Sequence, residues 1–220
     1  MASRDLLRVL DSYASLLTLL LVNFFLLELI DDPRWGALAS TLLAGAALVV
    51  AISDPDAGEH VSKPQALMVA AAVVVASLVL VTDSAPVLGL AYLLPAGLFV
   101  SVTLPITIKR VLQHRRVTHE TVLGALCAYV LLGLLFAFVF LAVDEFRETP
   151  FFAQPGAHTQ AEYLYFSFVV LTTLGFGDLT PSAGLPQALT ALEALLGSIF
   201  LVTLVARLVT LWVRDTRADA

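Results

Sequence analysis

Long apolar stretches alternate with short polar ones along most of the chain. Six of the apolar stretches have about the length that a helix needs to cross the hydrocarbon core of a membrane. They cover residues 13–30, 37–52, 65–81, 87–104, 121–143 and 186–213. The pattern predicts an all-α membrane protein with six transmembrane helices. Pro95 and Gly97 predict a bend or a loosening in the fourth helix.

A shorter helix is expected between the fifth and sixth spans. Residues 159–162, with the sequence TQAE, have the form of a capping box, and an apolar run follows as far as Leu171. The helix should therefore end just before Thr172. Its C-terminal carbonyls carry partial negative charge and would face a cation lying beyond that end. These positions predict a re-entrant helix that enters the membrane without crossing it.

The sequence TTLGFGD follows directly at residues 172–178. Its two glycines are one residue apart, and glycine readily adopts both signs of φ. Alternating glycine with ordinary residues lets successive carbonyls point the same way, and such a row of carbonyls can replace the water shell of an ion. The Thr173 hydroxyl would lie at the inner end of this row. The alternative interpretation is a re-entrant loop that conducts nothing.

This string resembles the potassium-channel signature TVGYG, with Leu174 in place of Val and Phe176 in place of Tyr. The resemblance to the potassium-channel superfamily covers residues 121–213, in the order outer helix, pore helix, filter and inner helix. It implies a channel that passes dehydrated K⁺ in single file, with K⁺ as the transported ion and no organic cofactor. The implied ion-binding residues of the selectivity filter are Thr173, Leu174, Gly175, Phe176 and Gly177, with Thr172 and Asp178 as filter support and outer mouth.

Two features of the family are missing from this chain. The valines at 169–170 offer no carboxylate behind the filter to pair with Asp178, and Phe176 lacks the hydroxyl of the usual tyrosine. The filter is therefore expected to be less braced than in the family. Tyr163 and Tyr165 are the candidates to compensate.

Two residues of the sixth span are candidates for gating. Gly197 lies where the family often has a glycine that lets the inner helix bend, and a glycine that permits close packing is an equal alternative. Glu193, one turn earlier, is an ionisable group within a span, and such groups tend to be functional. It should either hydrogen-bond the pore-helix region, at Ser167 or Thr172, or face the cavity.

One chain carries one filter, and a ring of carbonyls around an ion needs four copies, so a homotetramer is expected. One alternative is a subunit of a cation transporter built on the same motif, although such transporters carry four pore repeats in one chain. Another is a non-conducting membrane scaffold. The spans contain no nucleophile and base pair and no metal-ligand cluster, so the chain is not expected to be an enzyme.

Composition and charge agree with a membrane protein. The chain is 59% hydrophobic and 14% charged, with a mean hydropathy of +0.92, well outside soluble averages. With the N-terminus inside and six spans, ten basic residues fall on or near the cytoplasmic side and only Arg34 and Arg147 fall outside. We therefore expect a multi-pass protein of the plasma membrane with both termini in the cytoplasm.

The chain outside the pore is predicted to form three parts. Residues 1–104 form a four-helix membrane domain whose fourth span has no Arg or Lys, so voltage dependence should be weak or absent. Residues 105–120 form a basic cytoplasmic linker that should contact anionic lipid rather than nucleic acid. Its basic residues are Lys109, Arg110, Arg115 and Arg116. The pore domain occupies 121–213, and 214–220 is a short cytoplasmic tail.

Overall fold

The computed structural model describes residues 2–30, 32–52, 63–82, 84–105, 108 and 119–218. Seven α-helices account for most of this part of the chain. In order they are α1 (Ala2–Leu29), α2 (Pro33–Ile52), α3 (Lys63–Val79), α4 (Ala85–Leu98), α5 (His119–Phe146), α6 (Gln160–Leu171) and α7 (Leu185–Ala218). The all-helical class predicted from the sequence is confirmed for the described residues.

Helix α5 lies at the centre of the fold. It packs against α1, α4, α6 and α7, and its side chains are buried without interruption from Leu131 to Phe138. Between Val122 and Val143 its sequence is apolar on every side, and a helix without a polar face is stable only inside a protein or a membrane. Of the helices in residues 1–104, α1 and α4 pack directly on the helix that precedes α6.

Helix α4 changes its hydrogen-bond pattern after Pro95. Proline has no N–H to donate and disturbs the turn before it. Further along, the N–H of Leu104 donates to the carbonyl of Phe99, five residues earlier, which is the pattern of a π-helix. This π-helix covers Phe99–Thr103 and follows α4 directly. The structure shows this π-helix shortly after Pro95 and Gly97, where the sequence predicted a bend or a loosening.

Several helices are longer than the apolar stretches that predicted them. α1 begins at Ala2, because residues 2–12 contain good helix formers and no proline or glycine. α5 ends at Phe146. α7 runs to Ala218, so the helix continues into the stretch predicted as a tail, as far as residue 218. Polar residues extend a helix beyond its apolar run when no helix breaker intervenes.

Two helical stretches among the described residues are long and apolar enough to cross a membrane, Val122–Phe146 in α5 and Leu185–Ala206 in α7. In the sequence they lie on either side of the short helix α6, as predicted for an outer and an inner helix. Three further apolar stretches are shorter, at Tyr13–Leu29, Val69–Val79 and Ala85–Ser101. The total of six spans remains a prediction.

Most of the predicted basic linker lies outside the described residues. This applies to all four of its lysine and arginine side chains, Lys109, Arg110, Arg115 and Arg116. The expected contact with anionic lipid is therefore not tested by the structure.

Candidate functional site

Helix α6 begins with the capping box that the sequence predicted. The Thr159 hydroxyl accepts a hydrogen bond from the Glu162 N–H at 3.3 Å, and the Glu162 carboxylate accepts one from the Thr159 N–H at 2.6 Å. These bonds satisfy two of the free N–H groups at the start of the helix. The helix ends at Leu171, immediately before the TTLGFGD segment. Both ends of the predicted pore helix are confirmed.

The backbone of residues 173–177 alternates in conformation. Thr173, Gly175 and Gly177 have positive φ angles of 60°, 57° and 80°, and no other non-glycine residue in the described part of the chain has a positive φ. Alternating signs of φ are what a segment needs if successive carbonyls are to face one side. A β-branched residue in the left-handed region costs roughly 1–2 kcal/mol, and such strain tends to be retained at functional sites.

The same segment has no packing partner on one side. Residues 172–178 are exposed except for their hydrogen bonds to α6, and the side chains of Leu174 and Phe176 are 60% and 64% exposed. A Cβ built on Gly175 or Gly177 meets no atom within 4 Å. Two large apolar side chains are thus more than half exposed beside a strained backbone.

Tyr165 on α6 holds the C-terminal end of the segment. Its hydroxyl donates a hydrogen bond to Asp178 at 2.8 Å, and its ring stacks on Phe176 with centroids 6.4 Å apart. The Tyr165 hydroxyl, together with backbone N–H groups, holds the pKa of the exposed Asp178 carboxyl below its ordinary value. Of the two tyrosines considered from the sequence, Tyr165 supplies the brace. The expectation of a filter less braced than in the family stays a prediction.

A pair of backbone contacts clamps the chain just beyond the segment. The N–H of Ala153 donates to the carbonyl of Thr180, and the N–H of Ser182 donates to the carbonyl of Phe151, both at 2.8 Å. The Gln154 side chain adds two bonds to Thr180, one to its hydroxyl and one from its N–H. Nothing in the sequence pattern predicted this clamp, because its partners lie more than 25 residues apart.

Glu193 of α7 contacts α6. Its carboxyl Oε1 lies 2.5 Å from the Ser167 hydroxyl, which also lies 2.8 Å from the carbonyl oxygen of Gly133 on α5. Ser167 has a single hydroxyl proton, so both bonds form at once only if Glu193 donates to Ser167 and Ser167 donates to Gly133. Of the alternatives left open by the sequence, the structure selects Ser167. Glu193 is completely buried, so it does not face an open cavity.

Two glycines allow α6 to fit between the spans around it. A Cβ on Gly197 would lie 2.8 Å from the Leu171 side chain and 2.9 Å from the Leu171 carbonyl oxygen. A Cβ on Gly133 would lie 2.6 Å from the ring of Phe168. On the α5 side, the Tyr129 hydroxyl also donates to the Leu171 carbonyl at 3.0 Å. For Gly197, the close-packing alternative is the one that the structure shows.

The predicted site residues thus occur in two groups. The exposed segment 172–178 contains the residues that sequence analysis assigned to the filter. The two gating candidates, Glu193 and Gly197, both lie against α6, at Ser167 and Leu171. Gly133 and Tyr129 were not found from the sequence, since a glycine and a tyrosine within an apolar helix have no distinctive pattern.

One comparison with known proteins gave a match. Residues 126–214 match the family model described as ion channel, and this region is less than half of the chain. It begins within α5, includes α6 and the TTLGFGD segment, and ends within α7. Neither the curated proteins nor the solved structures contained a match. Together with the apolar helices, this similarity of residues 126–214 to ion channels supports a membrane protein with an ion-channel function.

Proposed function

We propose that the chain is a subunit of a potassium-selective channel. The carbonyls of residues 173–176 and the Thr173 hydroxyl coordinate dehydrated K⁺ in single file. The observation that carries this proposal is the alternation of φ at Thr173, Gly175 and Gly177, directly after a capped helix whose C-terminal end carries partial negative charge. Leu174 and Phe176 alternate with them, and their side chains are 60% and 64% exposed within one chain, although Phe176 stacks on Tyr165.

The channel is proposed to be a homotetramer, because one chain supplies only part of the wall around an ion. The span of α7 supports this assembly, since few of its residues are covered within one chain. Its exposed large apolar side chains include Leu185, Leu192, Leu195, Ile199, Val202 and Val205. Burying such a row against copies of itself would stabilise the assembly by van der Waals packing, the main attraction between helices in lipid.

The proposed membrane arrangement has six spans in the plasma membrane, with both termini in the cytoplasm. The balance of basic residues along the sequence supports it. On this arrangement the basic residues of the linker, Lys109, Arg110, Arg115 and Arg116, lie at the cytoplasmic lipid surface and contact anionic lipid.

The test is ion flux through purified protein in liposomes under K⁺ and Na⁺ gradients. We expect K⁺ flux to exceed Na⁺ flux by more than about tenfold. Gly175→Ala should abolish K⁺ flux, because an alanine at a φ of 57° is strained within the row of carbonyls. Gly45→Ala is the matched control, since its Cβ would meet only the Val69 side chain at an ordinary 3.8 Å.

Each outcome of this experiment has a separate meaning. Equal K⁺ and Na⁺ flux would leave a channel and refute the selectivity. No flux of either ion, from protein shown to be folded and inserted, would favour the non-conducting scaffold. A Gly175→Ala variant that conducts like the Gly45→Ala control would remove the filter from the mechanism.

A further inference from the structure

A buried hydrogen-bond chain joins the N-terminal helices to the pore helix. Gln160, the first residue of α6, donates from its Nε2 to the hydroxyl of Tyr92 on α4 at 2.6 Å. The Tyr92 hydroxyl donates in turn to the carbonyl of Pro33, the first residue of α2, at 3.2 Å. Tyr92 is 1% exposed and Gln160 is 5% exposed. Three helices that are far apart in the sequence therefore meet at one polar contact.

Space for the Gln160 amide exists because residue 36 is a glycine. A Cβ on Gly36 would overlap Oε1 of Gln160 and lie 2.8 Å from its Cδ. Gly36 lies in the first turn of α2, close to Pro33. The amide of Gln160 thus fills a place that any other residue at position 36 would occupy.

This contact is not the most stable way to fill the space. Oε1 of Gln160 is buried and has no hydrogen-bond partner among the residues that the structure describes. A buried polar atom without a partner costs about 1–3 kcal/mol, whereas an apolar side chain of similar shape carries no such penalty. Stability alone therefore does not explain why this hydrogen bond is present. A role in fixing the relative position of the helices explains it better.

The link is placed where it can influence the filter. α6 is a helix of 12 residues, about 18 Å long, and it leads from Gln160 directly to the residue before Thr172. Tyr92 lies three residues before Pro95, where α4 begins to change toward its π-helical continuation. It also stacks on Phe138 of α5 with ring centroids 6.4 Å apart. A shift or rotation of α4 at this point would move the start of α6.

We propose that Tyr92, Gly36 and Gln160 are positioning residues through which the four N-terminal helices hold the pore helix, and with it the filter, in the conducting arrangement. This proposal rests on the proposed channel function. The N-terminal helices then control the filter from within the same chain, at the outer end of α6. They need no charged side chain for this, because the coupling is a hydrogen bond between uncharged groups.

The experiment is single-channel recording from reconstituted full-length protein. Tyr92→Phe removes only the hydroxyl, and Gly36→Ala displaces the Gln160 amide. We expect either variant to lower the open probability about tenfold, the factor that corresponds to about 1.4 kcal/mol. Gly45→Ala, the same substitution in the same helix at an uncrowded site, should match the wild type. Open probability is measured on folded, conducting molecules alone, so a purely structural loss of protein would leave it unchanged.

A double-mutant cycle tests the link independently of conduction. Tyr92→Phe and Gln160→Met each remove the same hydrogen bond. The thermal unfolding midpoint of the double variant should therefore shift by less than the sum of the shifts in the two single variants. Additive shifts would overturn the link. If the wild type opens and both Tyr92→Phe and Gly36→Ala have the same open probability as the wild type, the positioning role is overturned. The channel function then still stands. A wild-type protein without any openings would instead refute the channel function. If Gly36→Ala does not fold, Tyr92→Phe decides the outcome.

Discussion

Tyr165 makes two different contacts with the C-terminal end of the TTLGFGD segment. Its ring lies parallel to Phe176, and its hydroxyl bonds to Asp178, two residues further along. Phe176 has no hydroxyl of its own, so its contact with Tyr165 is aromatic stacking. In the proposed filter, Tyr165 is the residue of α6 that braces both positions.

Replacing Tyr165 by Phe should leave the stacking and remove the hydrogen bond. We expect conduction to begin normally and to be lost severalfold faster during sustained K⁺ flux, because the outer end of the filter is then held by stacking alone. Macroscopic current decay in symmetrical K⁺ measures this. The control is Tyr165→Phe combined with Asp178→Asn. The current of the double variant should decay no faster than that of the Asp178→Asn single variant. Independent, additive effects on the decay would contradict the pairing of Tyr165 with Asp178.

The sign of the acid dependence follows from the lowered pKa of Asp178. A carboxyl with a lowered pKa in the folded state contributes its stabilisation fully above its ordinary pKa of about 3.9 and loses it as the pH falls through the lower, folded value. External pH between about 5 and 8 should therefore leave the contact with Tyr165 intact. Current decay that quickened between pH 8 and 5 in the wild type but not in Tyr165→Phe would contradict this assignment.

Glu193 acts through Ser167, and that contact predicts a clear difference between two substitutions. Glu193→Gln should behave much like the wild type, because an amide can also donate to Ser167. Glu193→Ala leaves a cavity and removes the donor, which should lower the free energy of unfolding by about 2–4 kcal/mol and reduce the open probability. Thermal unfolding and single-channel records measure both quantities.

The control for Glu193 is Ser198→Ala on the same helix, which removes only a bond from Ser198 to the Ala194 carbonyl. A wild-type phenotype in Glu193→Ala would show that the relay to Gly133 does not support the filter. A loss of unitary conductance in Glu193→Gln equal to that in Glu193→Ala would show instead that a charge at this position matters.

At the scale of elements, α6 is held by the helices on both sides. Gly133 on α5 admits the ring of Phe168, and Gly197 on α7 admits Leu171. The Ser167 hydroxyl connects the same two helices through Gly133 and Glu193. A short helix that ends in a strained segment needs such support, since helices of this length are marginal by themselves.

Gly197→Ala tests the close contact on α7. Alanine raises helix propensity by about 1 kcal/mol, but its Cβ would lie 2.9 Å from the backbone oxygen of Leu171, and overpacking of this kind costs about 1–3 kcal/mol. A backbone atom cannot move without its helix, so we expect the cost of the clash to exceed the gain in helix propensity. The variant should unfold at lower temperature and conduct less. Higher stability with a lower open probability would instead support the hinge interpretation of Gly197.

At the scale of the whole molecule, α4 packs on α5 without carrying the basic charges of a voltage sensor. Residues 85–103, which cover α4 and its π-helical continuation, contain no Arg or Lys. Moving one charge across the membrane is worth about 2.3 kcal/mol per 100 mV, and this helix cannot supply any of it. We expect conductance measured in symmetrical K⁺ to change only gradually with voltage. A steep, saturating conductance–voltage curve would show that charged groups elsewhere cross the field.

The sequence by itself determined the features that depend on neighbouring residues. Helix type follows from apolar composition and from the spacing of helix breakers, so the spans around α6 and the capping box at Thr159 could be predicted. The alternating backbone conformation of residues 173–177 could also be predicted, because two glycines one residue apart permit it. These signals are local, because they depend on residues that are close together in the sequence.

Only the tertiary structure decided which side chains meet across helices. Glu193 could have faced a cavity, Gly197 could have been a hinge, and Tyr165 had no evident partner. Each was settled by a contact between residues at least 13 positions apart. The bond between Gln160 and Tyr92 joins residues 68 positions apart and has no signature in either helix. Periodicity gives the face of a helix, but the element that packs against that face depends on how the whole chain folds.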